Sequence, residues 1–157
     1  MNASIALLAA GALVFASAAV QHLNTLGSKG LAFVFTDRAT PLSRDGFAGR
    51  AARTLQNNLE SAGMVMPPAV ALMVLGVDSV VATGAALVYA AARVGFTLSY
   101  WSGLNKPRSF FWGVGMAMIA LLTLQAVAAV VQGGADTLPA VRPIAGPMST
   151  LQPGRPA

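Results

Sequence analysis

The sequence predicts an all-α integral membrane protein built as a four-helix bundle, and three observations lead to that prediction. Of its 157 residues, 55% are hydrophobic and 10% are charged, whereas soluble domains carry about 25% charged residues. The mean hydropathy is +0.65. Four mainly apolar stretches, each long enough to cross a bilayer at about 1.5 Å per residue, are separated by shorter polar connections. The length allows one domain and no separate soluble module.

The domain is predicted to cover residues 1–132, with helices over residues 3–22, 49–77, 79–103 and 108–131. The first helix contains an unbroken apolar run from Ala3 to Val20. Ala16-Ser17-Ala18 resembles a signal-peptidase site, but no basic residue precedes the run, so we expect a retained transmembrane helix. The stretch Leu31 to Phe35 either extends this helix or lies in the membrane interface. Residues 133–157, rich in Pro and Gly, are predicted to be disordered.

Basic residues concentrate in two of the three connections, and this predicts the orientation. The first connection and its flanks hold Lys29, Arg38, Arg44, Arg50 and Arg53, and the third holds Lys106 and Arg108. Basic connections stay on the cytoplasmic side of a membrane. We therefore expect both termini on the opposite side, in a bacterial inner membrane. The chain has no cysteine, and its few acids and one histidine argue against a metal site.

Two neighbouring helices carry polar residues within their apolar spans. Arg53, Asn57 and Glu60 lie at i, i+4 and i+7 of the second helix, and Arg93 and Tyr100 lie seven residues apart on the third. Charged residues in membrane helices mostly face a protein interior or a wet cavity. Pairing of Glu60 with Arg93 would leave an excess of guanidinium groups, which suits a carboxylate ligand. The alternative is a buried ion pair with surface arginines and no ligand.

The pattern resembles the MAPEG superfamily, the membrane-associated proteins of eicosanoid and glutathione metabolism. The resemblance covers Arg50 to Trp112 in motif detail and Ala3 to Val131 in helix layout. It implies a homotrimer of four-helix subunits, with glutathione bound between subunits near the cytoplasmic face. The implied glutathione contacts are Arg53, Asn57, Glu60, Arg93, Tyr100 and Arg108. Arg108 and Ser109 match the positions implicated in stabilising the thiolate. Gln56 and Asn58 stand where several eukaryotic members have charged residues.

The implied function is that of a membrane-bound glutathione-dependent transferase or peroxidase. A cysteine thiol with a pKa near ~8.5 is mostly protonated at neutral pH, and its thiolate is the nucleophile. Arg108 and Ser109 would stabilise that thiolate for attack on a lipophilic electrophile or lipid peroxide from the bilayer. Neither a metal nor a nucleic acid is an expected partner. One alternative is a non-catalytic scaffold or regulator of the same fold. A small proton-coupled transporter using Glu60 and Arg93 ranks last.

Overall fold

The computed structural model describes residues 3–37 and 41–136, and these ranges are helical apart from short connections. The helices are α1 (Ser4–Lys29), α2 (Leu31–Val34), α3 (Gly46–Val74), α4 (Val80–Trp101) and α5 (Asn105–Asp136). No strand occurs within the two described ranges. The all-helical class predicted from composition is therefore confirmed for the part of the chain that the structure describes.

Two helices continue further than the sequence pattern predicts. α1 runs to Lys29 rather than ending near residue 22. In its last turns the Thr25 hydroxyl donates a hydrogen bond to the Gln21 carbonyl of the same helix at 2.9 Å. Gly30, at φ +81°, then ends α1 and separates it from the four-residue α2. α5 continues through residues 133–136 of the predicted tail, while residues 137–157 and Arg38 lie outside the described residues.

Three helices are long and apolar enough to cross a membrane: α1, α4 and the Asn105–Gly133 part of α5. α3 is as long as these, with 29 residues, but Arg50, Arg53 and Glu60 make it less apolar. The sequence was expected to contain four apolar membrane spans, whereas the length and composition of the observed helices identify three. The difference arises because the polar residues of the expected site are concentrated in α3.

Alanine-rich faces bring the four long helices together. α3 packs along α1, and α4 packs along α5, with further contacts of α3 to α5 and of α1 to α4. Ala6 of α1, Ala69 of α3 and Ala86 of α4 are fully buried in one apolar cluster, beside Leu72 and Leu122. Small side chains let helix backbones approach closely, which is how membrane helices gain packing energy. These contacts hold α3 against helices on both sides.

Two glycines mark the closest approaches that position the site. A Cβ atom at Gly95 of α4 would stand 2.8 Å from the Phe111 ring of α5, so this contact accepts only glycine without movement. A Cβ atom at Gly49 would overlap the Arg44 carbonyl. Because this carbonyl is part of the backbone, it cannot rotate away as a side chain can. The first contact brings α5 against α4, and the second holds the segment before α3 against its first turns. Both lie next to the arginines described below.

Candidate anion-binding site

Tyr100, in the last turn of α4, lies between arginines from two other helices. The Arg53 side chain of α3 donates a hydrogen bond from Nε to the Tyr100 hydroxyl at 3.2 Å. The Arg108 guanidinium carbon of α5 stands 4.8 Å from the centre of the Tyr100 ring, a cation–π distance. Phe96, one turn earlier, packs edge-on against that ring at 5.4 Å. One tyrosine therefore holds two cations from two helices, through its hydroxyl and through its face.

Two cavities adjoin at Tyr100 and Arg108. The first, of about 250 Å³, is lined by three arginines, Arg50, Arg53 and Arg108, together with polar and small residues. None of the described residues that line it is acidic. The second, of about 280 Å³, is lined by aromatic and polar side chains that include Trp112 and Ser109. A strongly cationic chamber thus shares a wall with a chamber of mixed polarity.

Arg50, one of the basic residues that flank the first connection, makes specific contacts in the structure. Its Nε donates a hydrogen bond to the Trp101 carbonyl at 3.2 Å, at the end of α4. Its guanidinium carbon also stands 5.7 Å from the Phe47 ring. The carbonyl groups at a helix C-terminus lack partners within the helix and carry partial negative charge, so a cation is favoured there. Arg50 therefore ties the start of α3 to the end of α4, beside the first cavity.

Arg93 is placed differently from the sequence prediction. It is 2% exposed and lines neither cavity. The predicted pairing with Glu60 is wrong, because Arg93 Nη2 donates to the Asn57 side-chain oxygen at 2.9 Å and to the Asn58 side-chain oxygen. Its guanidinium also stacks over Phe96 at 4.3 Å. Arg93 thus orients Asn57, which does line the second cavity, through amide partners on α3.

Glu60 lies on the outer face of α3, away from Arg93. Its carboxylate accepts a hydrogen bond from Gln56 Nε2 at 2.9 Å, one turn earlier on the same helix. Glu60 lines neither cavity in this single chain, and the residue is exposed. The structure therefore brings Arg53, Asn57, Tyr100, Arg108 and Ser109 together at the two cavities, and it leaves Glu60 and Arg93 outside the cavity walls.

Asn58 is the buried polar residue that the sequence interpretation did not assign to the site. It is 3% exposed, and its amide nitrogen donates to the Ser17 hydroxyl at 2.7 Å and the Thr97 hydroxyl at 3.1 Å. Its oxygen accepts from Arg93. The signal was present in the sequence: Thr54, Asn58 and Ser61 repeat the i, i+4, i+7 spacing of the predicted stripe, offset by one residue. Periodicity alone does not say which of two adjacent stripes faces inward.

A comparison with known protein families shows the family to which the chain belongs. A family model described as the MAPEG family matches residues 2–128, which is most of the chain and contains every residue of both cavities. The chain belongs to the MAPEG family. No curated protein matched the chain in a sequence search. MAPEG membership and the three apolar helices make it an integral membrane protein of the group concerned with eicosanoid and glutathione metabolism.

The MAPEG assignment confirms the resemblance drawn from the sequence motifs. The match runs from the start of α1 to near the end of α5, so it includes all four long helices. Arg108, in the first turn of the last of these helices, lines both cavities, whereas Ser109, the next residue, lines the second. The Ser109 hydroxyl donates to the Asn105 carbonyl at 3.2 Å, so it must rotate away from that carbonyl before it can donate to a ligand.

Proposed function

We propose that this MAPEG protein is a membrane-bound glutathione-dependent transferase or peroxidase, with glutathione in the cavity between α3, α4 and α5. One observation carries the proposal. Arg50, Arg53 and Arg108 surround a cavity without an acidic residue among its described lining. Three guanidinium groups near one another repel, and a ligand with more than one negative charge relieves that repulsion. Glutathione has two carboxylates and one amine, so it is a net anion at neutral pH.

The arginines suit the two carboxylates of such a ligand. A guanidinium presents paired N–H donors that match the two oxygens of a carboxylate. Arg53 and Arg108 already have one side fixed by Tyr100, so less conformational entropy is lost when they bind. Asn57, held by Arg93 at 2.9 Å, offers an amide at the edge of the second cavity. These groups are in place before the ligand arrives.

The second cavity is where the thiol would react. Arg108 and Ser109 both line it, and a cation with a hydroxyl group stabilises a thiolate over the thiol. Each unit by which the thiol pKa falls corresponds to ~1.4 kcal/mol of such stabilisation. The thiolate sulfur forms a bond to the electrophilic carbon or peroxide oxygen of the second substrate, and the leaving group departs. Phe96 and Trp112 give this cavity an apolar wall that suits a lipophilic electrophile.

We further propose that the active unit is a homotrimer of four-helix subunits, with α3 also crossing the membrane and the site towards the cytoplasm. The support is the outer face of α3, where Arg53, Gln56, Glu60 and Gly63 are all exposed in the single chain. A carboxylate within a membrane helix is strongly disfavoured against lipid. Coverage by a neighbouring subunit would remove Glu60 from lipid and bring it to a shared site, where it can receive the ligand's amine.

The test is glutathione binding to the purified protein, compared between Arg108→Ala and Lys106→Ala. Both variants remove a cation from the first turn of α5, but only Arg108 lines the cavities. Arg108→Ala should weaken glutathione binding about tenfold or more, because a charge-assisted hydrogen bond contributes ~1.5–3 kcal/mol. It should also raise the pH at which thiolate absorbance appears.

The Lys106→Ala variant should bind as the unchanged protein does. Binding is measured by calorimetry in detergent, and the thiolate is followed by its ultraviolet absorbance during a pH titration. An unchanged titration in Arg108→Ala would remove Arg108 from the thiolate role. Absence of binding to the unchanged protein at millimolar glutathione would overturn the enzyme proposal and favour a non-catalytic scaffold of this fold.

A further inference from the structure

A third cavity, of about 450 Å³, lies where α1 ends and α3 begins. It is larger than either cavity at Tyr100 and shares no lining residue with them. Its α1 side is formed by the helix's last turns, from Gln21 to Lys29, and its other side includes Leu42, Ser43 and Phe47. This cavity therefore needs an explanation apart from glutathione binding.

Three polar side chains of this cavity form no hydrogen bond with a described residue of the protein. Lys29 is the only charged residue among the described lining, and neither its ammonium group nor the amides of Gln21 and Asn24 bond to a described residue. The hydroxyls of Thr25 and Ser28 are used within α1, donating to carbonyls one turn earlier. One cation and two free amides facing a cavity favour an anionic oxygen ligand such as a phosphate.

The height of the cavity matches the lipid headgroup layer. The apolar run of α1 ends at Val20, and Asn24 lies about 6 Å beyond it along the helix. The headgroup layer on each side of a bilayer is roughly 5–8 Å thick. Lys29 begins about 14 Å beyond Val20. Helical side chains lean towards the N-terminus, so its long stem returns the ammonium group towards that layer.

The apolar residues that line this cavity suit the glycerol and first acyl carbons of a phospholipid. Leu42 and Phe47 give the cavity an apolar side next to the polar one, and Phe47 also packs near the Arg50 guanidinium. A free phosphate ion would gain nothing from apolar surface, whereas the glycerol and first acyl carbons of a phospholipid would. One cation and two free amides beside an apolar wall, at the height of the headgroups, therefore favour a phospholipid over a free phosphate ion.

We propose that this cavity is a binding site for the phosphate headgroup of an anionic phospholipid. Lys29 supplies the charge, Gln21 and Asn24 supply hydrogen bonds, and Leu42 and Phe47 receive the glycerol end of the chains. The site is independent of the glutathione proposal, because it shares no lining residue with the cavities at Tyr100. A lipid seated there would hold the end of α1 against the start of α3, close to the Gly49 contact.

The experiment is native mass spectrometry of the detergent-purified protein titrated with phosphatidylglycerol or phosphatidylcholine. The unchanged protein should retain one phosphatidylglycerol per chain with at least tenfold preference over phosphatidylcholine. Lys29→Gln should weaken that retention about tenfold, and Asn24→Leu should weaken it as well, since both groups face the phosphate. Lys106→Gln, which removes an exposed cation that lines none of the three cavities, should change retention less than twofold.

Two outcomes would overturn the proposal. Equal losses in Lys29→Gln and Lys106→Gln would show that retention follows net charge rather than this cavity. Displacement of the lipid by millimolar inorganic phosphate, with the bound lipid mass replaced by the mass of phosphate, would show a free-anion site instead. Glutathione binding is measured on the same Lys29→Gln sample. It should be unchanged, so that failure of the lipid proposal and failure of the enzyme proposal are distinguishable.

Discussion

At the scale of single residues, two adjacent asparagines on α3 have opposite surroundings. Asn57 is partly exposed and lines the second cavity, while Asn58 is 3% exposed and bonds to three other helical residues. Arg93 connects them, because its guanidinium donates to both side-chain oxygens. A buried arginine without a carboxylate depends on such neutral acceptors, since an unsatisfied buried charge is costly. Asn58 is therefore a positioning residue for Asn57.

Replacing Asn58 tests that dependence. Asn58→Leu keeps the branched shape and the number of non-hydrogen side-chain atoms but removes the acceptor for Arg93, and we expect a loss of about 2 kcal/mol in the free energy of unfolding. Glutathione binding should also weaken, because Asn57 loses its support. Asn58→Asp keeps the acceptor, and the Ser17 and Thr97 hydroxyls can turn to donate to it, so stability and binding should be retained. Thermal unfolding in detergent and calorimetry measure the two effects.

Comparing Asn58→Leu with Asn58→Asp separates the effect of the hydrogen-bond acceptor from the effect of side-chain shape. If Asn58→Asp were as unstable and as weak in binding as Asn58→Leu, side-chain shape rather than the acceptor would determine the behaviour of this position. Thr123→Val on α5 is the control. Thr123 is exposed, and its hydroxyl donates to the Ile119 carbonyl of its own helix at 2.8 Å, so its loss should cost less than the loss of Asn58.

At the scale of helices, the site depends on how closely α5 approaches α4. Arg108 reaches the Tyr100 ring at 4.8 Å because α5 packs along α4 from its first turns. The contact of Gly95 with the Phe111 ring lies one turn below Tyr100 and Arg108. A Cβ atom at Gly95 must displace the Phe111 ring, and we expect α5 to shift with it and carry Arg108 away from the Tyr100 ring. The geometry of the site is thus set by a glycine that touches no ligand.

We expect Gly95→Ala to destabilise the protein by about 1–3 kcal/mol, the usual cost of overpacking a well-packed contact. It should also weaken glutathione binding through the displacement of Arg108. Gly84→Ala is the matched control on the same helix, because a Cβ atom there meets nothing within 4 Å. That change should be neutral or slightly stabilising, since alanine favours helix over glycine by ~1 kcal/mol. Equal effects of the two changes on thermal unfolding would contradict the role assigned to the Gly95 contact.

At the scale of the whole molecule, the outer face of α3 is the surface least suited to lipid. Gln56, Glu60 and Gly63 follow one another along it at helical spacing, and all are exposed in the single chain. Glycine allows a neighbouring helix to approach closely, and amides and carboxylates find partners across such an interface. The exposed residues of α4 and α5 include Leu98, Phe110 and Leu124, which are suited to lipid. We therefore expect the outer face of α3 to contact another subunit and the exposed apolar residues of α4 and α5 to contact lipid.

The proposed trimer is tested by placing a bulky side chain on that face. Gly63→Leu should convert the trimer in detergent to smaller species, because nothing within 4 Å in the single chain occupies the space that a neighbour would fill. Gly113→Leu on α5, where a Cβ atom also meets nothing within 4 Å, should leave the oligomeric state unchanged. Native mass spectrometry gives the subunit number. A trimer that survives Gly63→Leu would exclude this face as the subunit interface.

The all-helical class was predictable because helix formation depends largely on local information. Apolar run length and glycine or proline breaks are features of neighbouring residues, but they do not fix where a helix ends, and the four-residue α2 was not predicted as a separate helix. α1 was predicted too short because the polar residues from Gln21 to Lys29 were taken as a connection. They remain helical because Thr25 and Ser28 bond within the helix and because Gly27 keeps the helical conformation, so that positive φ is first reached at Gly30.

The sequence by itself determined the all-helical membrane class, the MAPEG family and the set of residue types that gather at the site. The tertiary structure decided which of those residues share a cavity. Helical periodicity places Arg53, Asn57 and Glu60 on one stripe, but it does not state which neighbour each one meets. Packing of α4 and α5 brings Arg53 and Arg108 to Tyr100 and turns Arg93 to the asparagines instead of Glu60. Side-chain partners on different helices depend on rotation and approach of whole helices, which no single segment of sequence specifies.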